Sequence, residues 1–171
     1  MLANRMTMAA SGGSVEATDG SFSLTNNQSY ALGSGTADYG GIRFAASVGG
    51  TVTSVRAEIN TLNASFNSVI QFYTDNAGSP GTQVGGDSST LNLTTTGVKT
   101  WTWASNDPVL TAATDYWCIL KDTDNGAGDA RMSAQAPASG SFLSGRNNTV
   151  TSIVNDAAND RTMRFEINTL S

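Results

Sequence analysis

The chain has 171 residues, the size of one domain, with a net charge of −5, a pI near 4.4, one cysteine and no histidine. Charged residues make up only 13%, against about 25% in an average domain, so the polar surface has to be built largely from Ser, Thr, Asn and Gly. This balance argues against a binder of nucleic-acid phosphates, which needs clustered Lys and Arg. It also rules out an intrachain disulfide and any chemistry that depends on histidine.

Met1-Leu2-Ala3-Asn4-Arg5-Met6-Thr7-Met8-Ala9-Ala10 carries three of the five methionines and a single charge before Ser11-Gly12-Gly13 breaks it off. Arg5 interrupts the apolar stretch that a secretory signal needs, and no run approaches the ~18 apolar residues of a membrane-spanning helix. Methionine-rich segments adapt to irregular apolar grooves. Residues 1–13 are therefore expected to form an N-terminal arm that docks on a neighbouring subunit through Met1, Leu2, Arg5, Met6 and Met8. A frayed terminus is the plainer alternative.

Residues 14–171 are expected to form one β-domain. A weak strand is predicted around Phe22 and Leu24, and Gln28 to Asp38 reads as loop. Tyr39 to Ala46 reads as a strand with Ile42 and Phe44 on one face and Arg43 on the other. The cleanest alternation follows at Thr51 to Asn60, where Val55, Ala57 and Ile59 face in while Ser54, Arg56, Glu58 and Asn60 face out. Period two with one polar face marks a half-buried antiparallel strand. Ser68 to Thr74 is the next strand, ended by the turn Asp75-Asn76-Ala77-Gly78-Ser79-Pro80-Gly81.

Thr90 to Leu93 and Val98 to Trp103 are short strands, and the second sets Lys99, Trp101 and Trp103 on one face. Asn106-Asp107-Pro108 then turns into the densest apolar run, Tyr116 to Leu120, which reads as a central strand covered on both faces. Asn125-Gly126 is a hairpin signal. Further strands are predicted at Ala130 to Gln135, Ser141 to Ser144, Thr149 to Val154 and Thr162 to Ile167. Asn155 to Asp160 is no more than a turn. About nine to eleven short strands at 8–12-residue spacing predict an all-β, antiparallel two-sheet sandwich or barrel.

Three pieces in order carry a family likeness. They are Ile70-Gln71-Phe72-Tyr73-Thr74-Asp75-Asn76-Ala77-Gly78-Ser79-Pro80-Gly81, then Trp101-Thr102-Trp103, then Leu110-Thr111-Ala112-Ala113-Thr114-Asp115-Tyr116-Trp117-Cys118-Ile119-Leu120. Together they resemble the jelly-roll domain of bacterial choice-of-anchor type R surface proteins and of phage virion proteins, over roughly residues 40 to 135. The resemblance implies a jelly-roll β-sandwich that serves as an attachment or structural module, with no catalytic residues to carry over. Unlike the secreted members, this sequence shows no signal peptide, C-terminal anchor or partner domain.

Several residue sets have both a chemical and a structural reading. Asp122, Asp124, Asn125 and Asp129 present oxygens of the kind calcium takes, but the bidentate Glu of an EF-hand is missing and a solvated turn accounts for them. Asp75 and Asn76 are read as turn residues in the same way. Trp101 and Trp103, with Tyr116 and Trp117, offer either a sugar-stacking platform or core aromatics. Cys118, inside the apolar run, reads as an inert small hydrophobe. A Ser nucleophile would have only Lys99 or Lys121 as base, and no pair of carboxylates is brought to one cavity.

The expectation is a non-enzymatic phage virion structural protein, either a capsid decoration (cement) protein or a tail or neck accessory protein. It would be made in the host cytoplasm, held by its N-terminal arm to a capsid or tail protein, and homo-oligomeric. No catalytic residue, metal, cofactor, nucleic acid or membrane enters this reading. A carbohydrate-binding or adhesion module that uses Trp101 and Trp103 is the alternative.

Overall fold

A computed structural model describes residues 16–19, 28–33, 39–124, 129–135, 144–147, 149–153, 162–163 and 165–171. In chain order the strands are β1 (Glu16–Asp19), β2 (Gln28–Gly33), β3 (Tyr39–Ala45), β4 (Gly50–Ala64), β5 (Phe66–Asn76), β6 (Ser79–Val84) and β7 (Leu91–Leu93). They continue with β8 (Gly97–Thr102), β9 (Val109–Leu110), β10 (Asp115–Asp122), β11 (Asp129–Gln135), β12 (Ser144–Asn147), β13 (Thr162–Met163) and β14 (Glu166–Leu170). The only helical piece among the described residues is a 3-10 turn, Val150–Ser152.

The strands form two antiparallel sheets packed together as a β-sandwich. The eight-stranded sheet runs β1-β14-β4-β11-β13, with β2 on β11 and with β8 and β9 on β4. The six-stranded sheet runs β12-β3-β10-β5-β6, with β7 on β5. Successive strands often change sheet, so neighbours in space come from distant parts of the chain.

β4 is the spine of the larger sheet. Val55, Ala57 and Ile59 are fully buried, and Val55 lies opposite Trp101 of β8 and Ile167 of β14. On the opposite face Arg56 pairs with Glu166 at 2.8 Å. The alternation is therefore a segregation of apolar from polar surface. Each fully buried aliphatic side chain contributes about 1.5–3 kcal/mol.

β10 is the centre of the smaller sheet, between β3 and β5. Cys118 faces Ile42 on one side and Phe72 on the other. Tyr116, Cys118 and Leu120 enter the inter-sheet core, while Trp117 and Ile119 enter a second apolar cluster on the outer face. The inner core joins Trp101, Phe66, Phe72, Phe165 and Met132. Trp101 donates its indole N–H to Ser68 Oγ at 3.1 Å, which satisfies a polar group that burial would otherwise strand. Among the described residues two buried polar atoms have no hydrogen-bond partner, the hydroxyl of fully buried Thr169 and the Nε of Arg43.

Several expectations change. Gln28–Gly33 is a strand, not a loop, paired with β11 from Gln28 opposite Ala134 to Gly33 opposite Asp129. Residues 149–153 are not a strand, because Val150–Ser152 coils into the 3-10 turn and Ile153 is buried. Of the predicted strand at Ser141 to Ser144, only Ser144 lies among the described residues, and it begins β12. The strands flanking Asn125-Gly126 do not form a hairpin, since β10 and β11 belong to different sheets. The β5–β6 hairpin turns at Ala77-Gly78, both at positive φ, and Pro80 and Gly81 fall within β6. Phe22, Leu24, Asn125, Gly126 and Asn155 to Asp160 lie outside the described residues.

Candidate functional site

The outer face of the smaller sheet holds the densest polar network among the described residues. Arg43 of β3 lies opposite Trp117 of β10, which lies opposite Tyr73 of β5. Directly opposed residues share a face of the sheet. Ile153, with Val150 beside it, covers this row from outside and packs with Tyr73, Trp117 and Ile119.

Arg43 ties three strands together. Its Nη2 donates to Asp75 Oδ2 at 3.2 Å and to Asp115 Oδ2 at 2.7 Å. Its Nε lies 2.8 Å from Asp75 Oδ1, an ionic contact whose N–H is not aligned for a hydrogen bond. Asp75 also accepts from the Trp117 indole N–H at 3.0 Å and from the Gly78 amide. Desolvation pushes the Asp75 carboxyl up. The hydrogen bonds from Arg43, Trp117 and Gly78, with the Arg43 charge, outweigh it and hold the carboxyl below its usual value.

A second network adjoins the first. Tyr73 donates its hydroxyl to Gln71 Oε1 at 3.0 Å, and Gln71 donates to Asp87 Oδ1 at 2.9 Å, which Gln83 also reaches at 2.7 Å. Burial, with the nearby charge of Asp87 and with Tyr39, pushes the Tyr73 phenol up to about 12. In both networks the polar groups are taken up by one another. Their combined effect is to fasten β3, β10, β5 and the β6 hairpin, and they present no activated nucleophile or base.

The residues singled out in the sequence are dispersed. Trp101 is 1% exposed, so it offers no face to a sugar ring and is corrected to core, while Trp103 stays partly exposed at the edge of that core. Trp103 is half-buried, packed on Phe72 at a 5.9 Å ring separation, and donates to the Gly86 carbonyl at 2.9 Å. Tyr116 is buried, and its hydroxyl accepts from the Thr111 amide. Trp117 is fully buried under the outer cluster.

Burial raises the Cys118 thiol and disfavours its thiolate. Lys99 bonds Thr95 Oγ1 at 2.7 Å, and Lys121 sits 5.5 Å from the Tyr39 ring centroid. Asp122 accepts from the Asp124 amide, and Asp124 accepts from the Asn67 amide and side chain. Those carboxylates order their own turn. Met1, Leu2, Arg5, Met6 and Met8 lie outside the described residues.

From the sequence Arg43 reads as outward-facing and Asp75 as a turn residue, and their meeting carries no local signal because it depends on which strands become neighbours. Compared with known proteins, the chain matches no family model, no curated protein and no solved structure.

Proposed function

We propose that the chain is a non-enzymatic structural protein of a tailed-phage particle, a capsid decoration or a tail or neck accessory protein. In this reading residues 1–13 attach it to a capsid or tail protein, and copies associate with one another. The observation that supports it most is the position of β1. Among the described residues this four-residue strand ends the larger sheet's strand order and pairs with β14 alone. In this reading an arm joined at Glu16 attaches through the outermost strand of the sheet's order and not through the strands that build the core. The likeness of the Ile70–Gly81, Trp101–Trp103 and Leu110–Leu120 segments to phage virion and surface-protein jelly rolls agrees with it.

Deleting residues 2–12 tests the attachment. The shortened protein is expected to keep its thermal transition and to lose co-sedimentation with the particle. Full occupancy by the shortened protein would sink the reading. An adhesion module is separated by a glycan array, and saturable glycan binding that is lost in Trp103→Ala would favour that module over the particle reading.

A further inference from the structure

The register of the larger sheet shows which backbone groups its two edges leave open. Successive residues of an antiparallel strand point their N–H and C=O to opposite sides. The Thr102 carbonyl accepts from the Ser89 amide and so faces away from β4. Thr100 and Val98, at alternate positions of β8, face the same way, and among the described residues nothing pairs with them there. The alternation carries across the sheet. Trp101 and its partner Val55 face each other, so Ser54 faces Asn168 of β14, and the Asn168 carbonyl accepts from Thr53 Oγ1 of β4. Ile167 and Thr169 then face Asp19 and Ala17 of β1, which leaves the backbone groups of Glu16 and Thr18 pointing out of the opposite edge.

The two edges match. β8, β4, β14 and β1 alternate in direction, so β8 of a second copy set beside β1 in the same orientation runs antiparallel to it. Glu16 opposite Thr100 and Thr18 opposite Val98 engage the open groups of both edges and set Ala17 against Lys99. Thr18 stands in the row of Asn168, Ser54 and Thr102, the face that Val98 and Thr100 share, so the outer faces of the two copies continue one another. The charges are complementary. β1 reads Glu-Ala-Thr-Asp, while Lys99 is the one charge of β8. A β8–β8 contact through the same groups sets Lys99 against Lys99, which disfavours it. Nor is the β8 edge blunted by a bulge or a proline. Its register with β4 is unbroken from Gly97 to Thr102, whereas β6, at the end of the smaller sheet's order, carries Pro80 and a register shift.

We propose that β1 of one copy pairs with β8 of the next, so that copies of this chain join head to tail through a continued sheet. The contact uses two different surfaces, so it closes as a ring of more than two copies and not as a dimer. It also covers Val98, which is 40% exposed in the single chain. The inference rests on the reading of the protein as a self-associating module and names the surfaces through which copies meet. Residues 1–13 take no part in it.

The full chain carrying Thr18→Cys is mixed with the full chain carrying Val98→Cys and oxidised. Opposed residues lie about 5.5 Å apart at Cα, within disulfide reach, whereas within one chain the two sites are three strand spacings apart, about 14 Å or more. Cys118 is buried and does not compete. A linked dimer is expected in the mixture well above either chain alone, and a chain carrying both substitutions is expected to give linked species larger than a dimer. Absence of these links overturns the proposal. Thr100→Pro removes an N–H that faces away from β4, so the ladder with β4 is kept. In sedimentation this variant is expected to self-associate at least tenfold more weakly than wild type with its melting temperature kept. Unchanged self-association, or a wild type that stops at a dimer or stays monomeric, overturns the proposal as well. A larger wild-type assembly that gives no Thr18–Val98 link leaves the proposed function standing while this inference falls.

Discussion

The indole N–H of Trp117 donates to Oδ1 of Asp75 at 3.0 Å, joining two neighbouring strands of the smaller sheet beneath the Arg43 guanidinium. Asp75 is therefore the acceptor on which β3, β10 and the β5–β6 hairpin converge. Replacing it by Asn removes the charge that Arg43 faces and part of the acceptor capacity. Asp75→Asn is expected to lower stability by about 2 kcal/mol in urea unfolding, the scale of lost hydrogen bonds to a charged group. The sign of its pH dependence follows from the lowered carboxyl. Its contribution is complete above the unfolded carboxyl's value of about 4 and is lost as pH falls through the folded value. The gap between wild type and variant should therefore shrink on acidification. A gap that is constant with pH refutes this role.

Tyr73 acts at the other end of the scale. Its phenol is pushed up to about 12, so its contribution is complete below the unfolded phenol's value of about 10 and is lost as pH rises through the folded value. An ionisation step at about pH 12 is expected in an absorbance titration, and Tyr73→Phe is expected to abolish it. The same variant loses the hydrogen bond to Gln71 and should be less stable by about 1 kcal/mol at neutral pH.

The β5–β6 turn carries a correctable strain. Ala77 has φ 52° and Gly78 φ 89°, the signature of a two-residue type I′ turn. Alanine in the left-handed region costs about 1–2 kcal/mol. Ala77→Gly relieves this but widens the unfolded ensemble, so a net gain of about 0.5 kcal/mol is expected, read as a higher urea midpoint at unchanged slope. Ala77→Asn, which keeps a side chain that tolerates this region, should match or exceed it.

Thr169 offers a different gain. Its hydroxyl is fully buried without a partner. Thr169→Val replaces that hydroxyl with a methyl of similar size. The variant is expected to be more stable by about 1 kcal/mol, the lower range of an unsatisfied polar group's cost. A loss of stability in calorimetry would show that the hydroxyl is satisfied in solution.

What the sequence revealed was local. The alternation in Thr51–Asn60 and the continuous apolar run Tyr116–Leu120 are written in side-chain period, and both strands formed where that period placed them. Gln28–Gly33 has no such period. It is a strand because β11 lies beside it, and pairing is not encoded in the segment itself. Val150–Ser152 has β-branched residues yet coils, since seating Ile153 over Trp117 decides its path. Trp101 and Trp103 share a strand face, but their different burial follows from position: one lies over the middle of the opposing sheet, the other packs near the Gly85–Gly86 corner. The Arg43–Asp75–Asp115 network joins residues 32 and 72 positions apart, a separation no local pattern spans.

The pairing of β1 with β14 has a mechanical consequence. Glu16 lies opposite Leu170 and Asp19 opposite Ile167, so tension applied between the two at this corner reaches the four pairs in succession, not all at once. The corner opens as a zipper, at low force, with each pair failing before the next is loaded. The fifteen-residue β4 is held along its length by β8, β9, β11 and β14 and is not the first element to bear that load. A tether pulled at the N-terminal end is thus fused: it peels away β1 while the sandwich behind it stays folded.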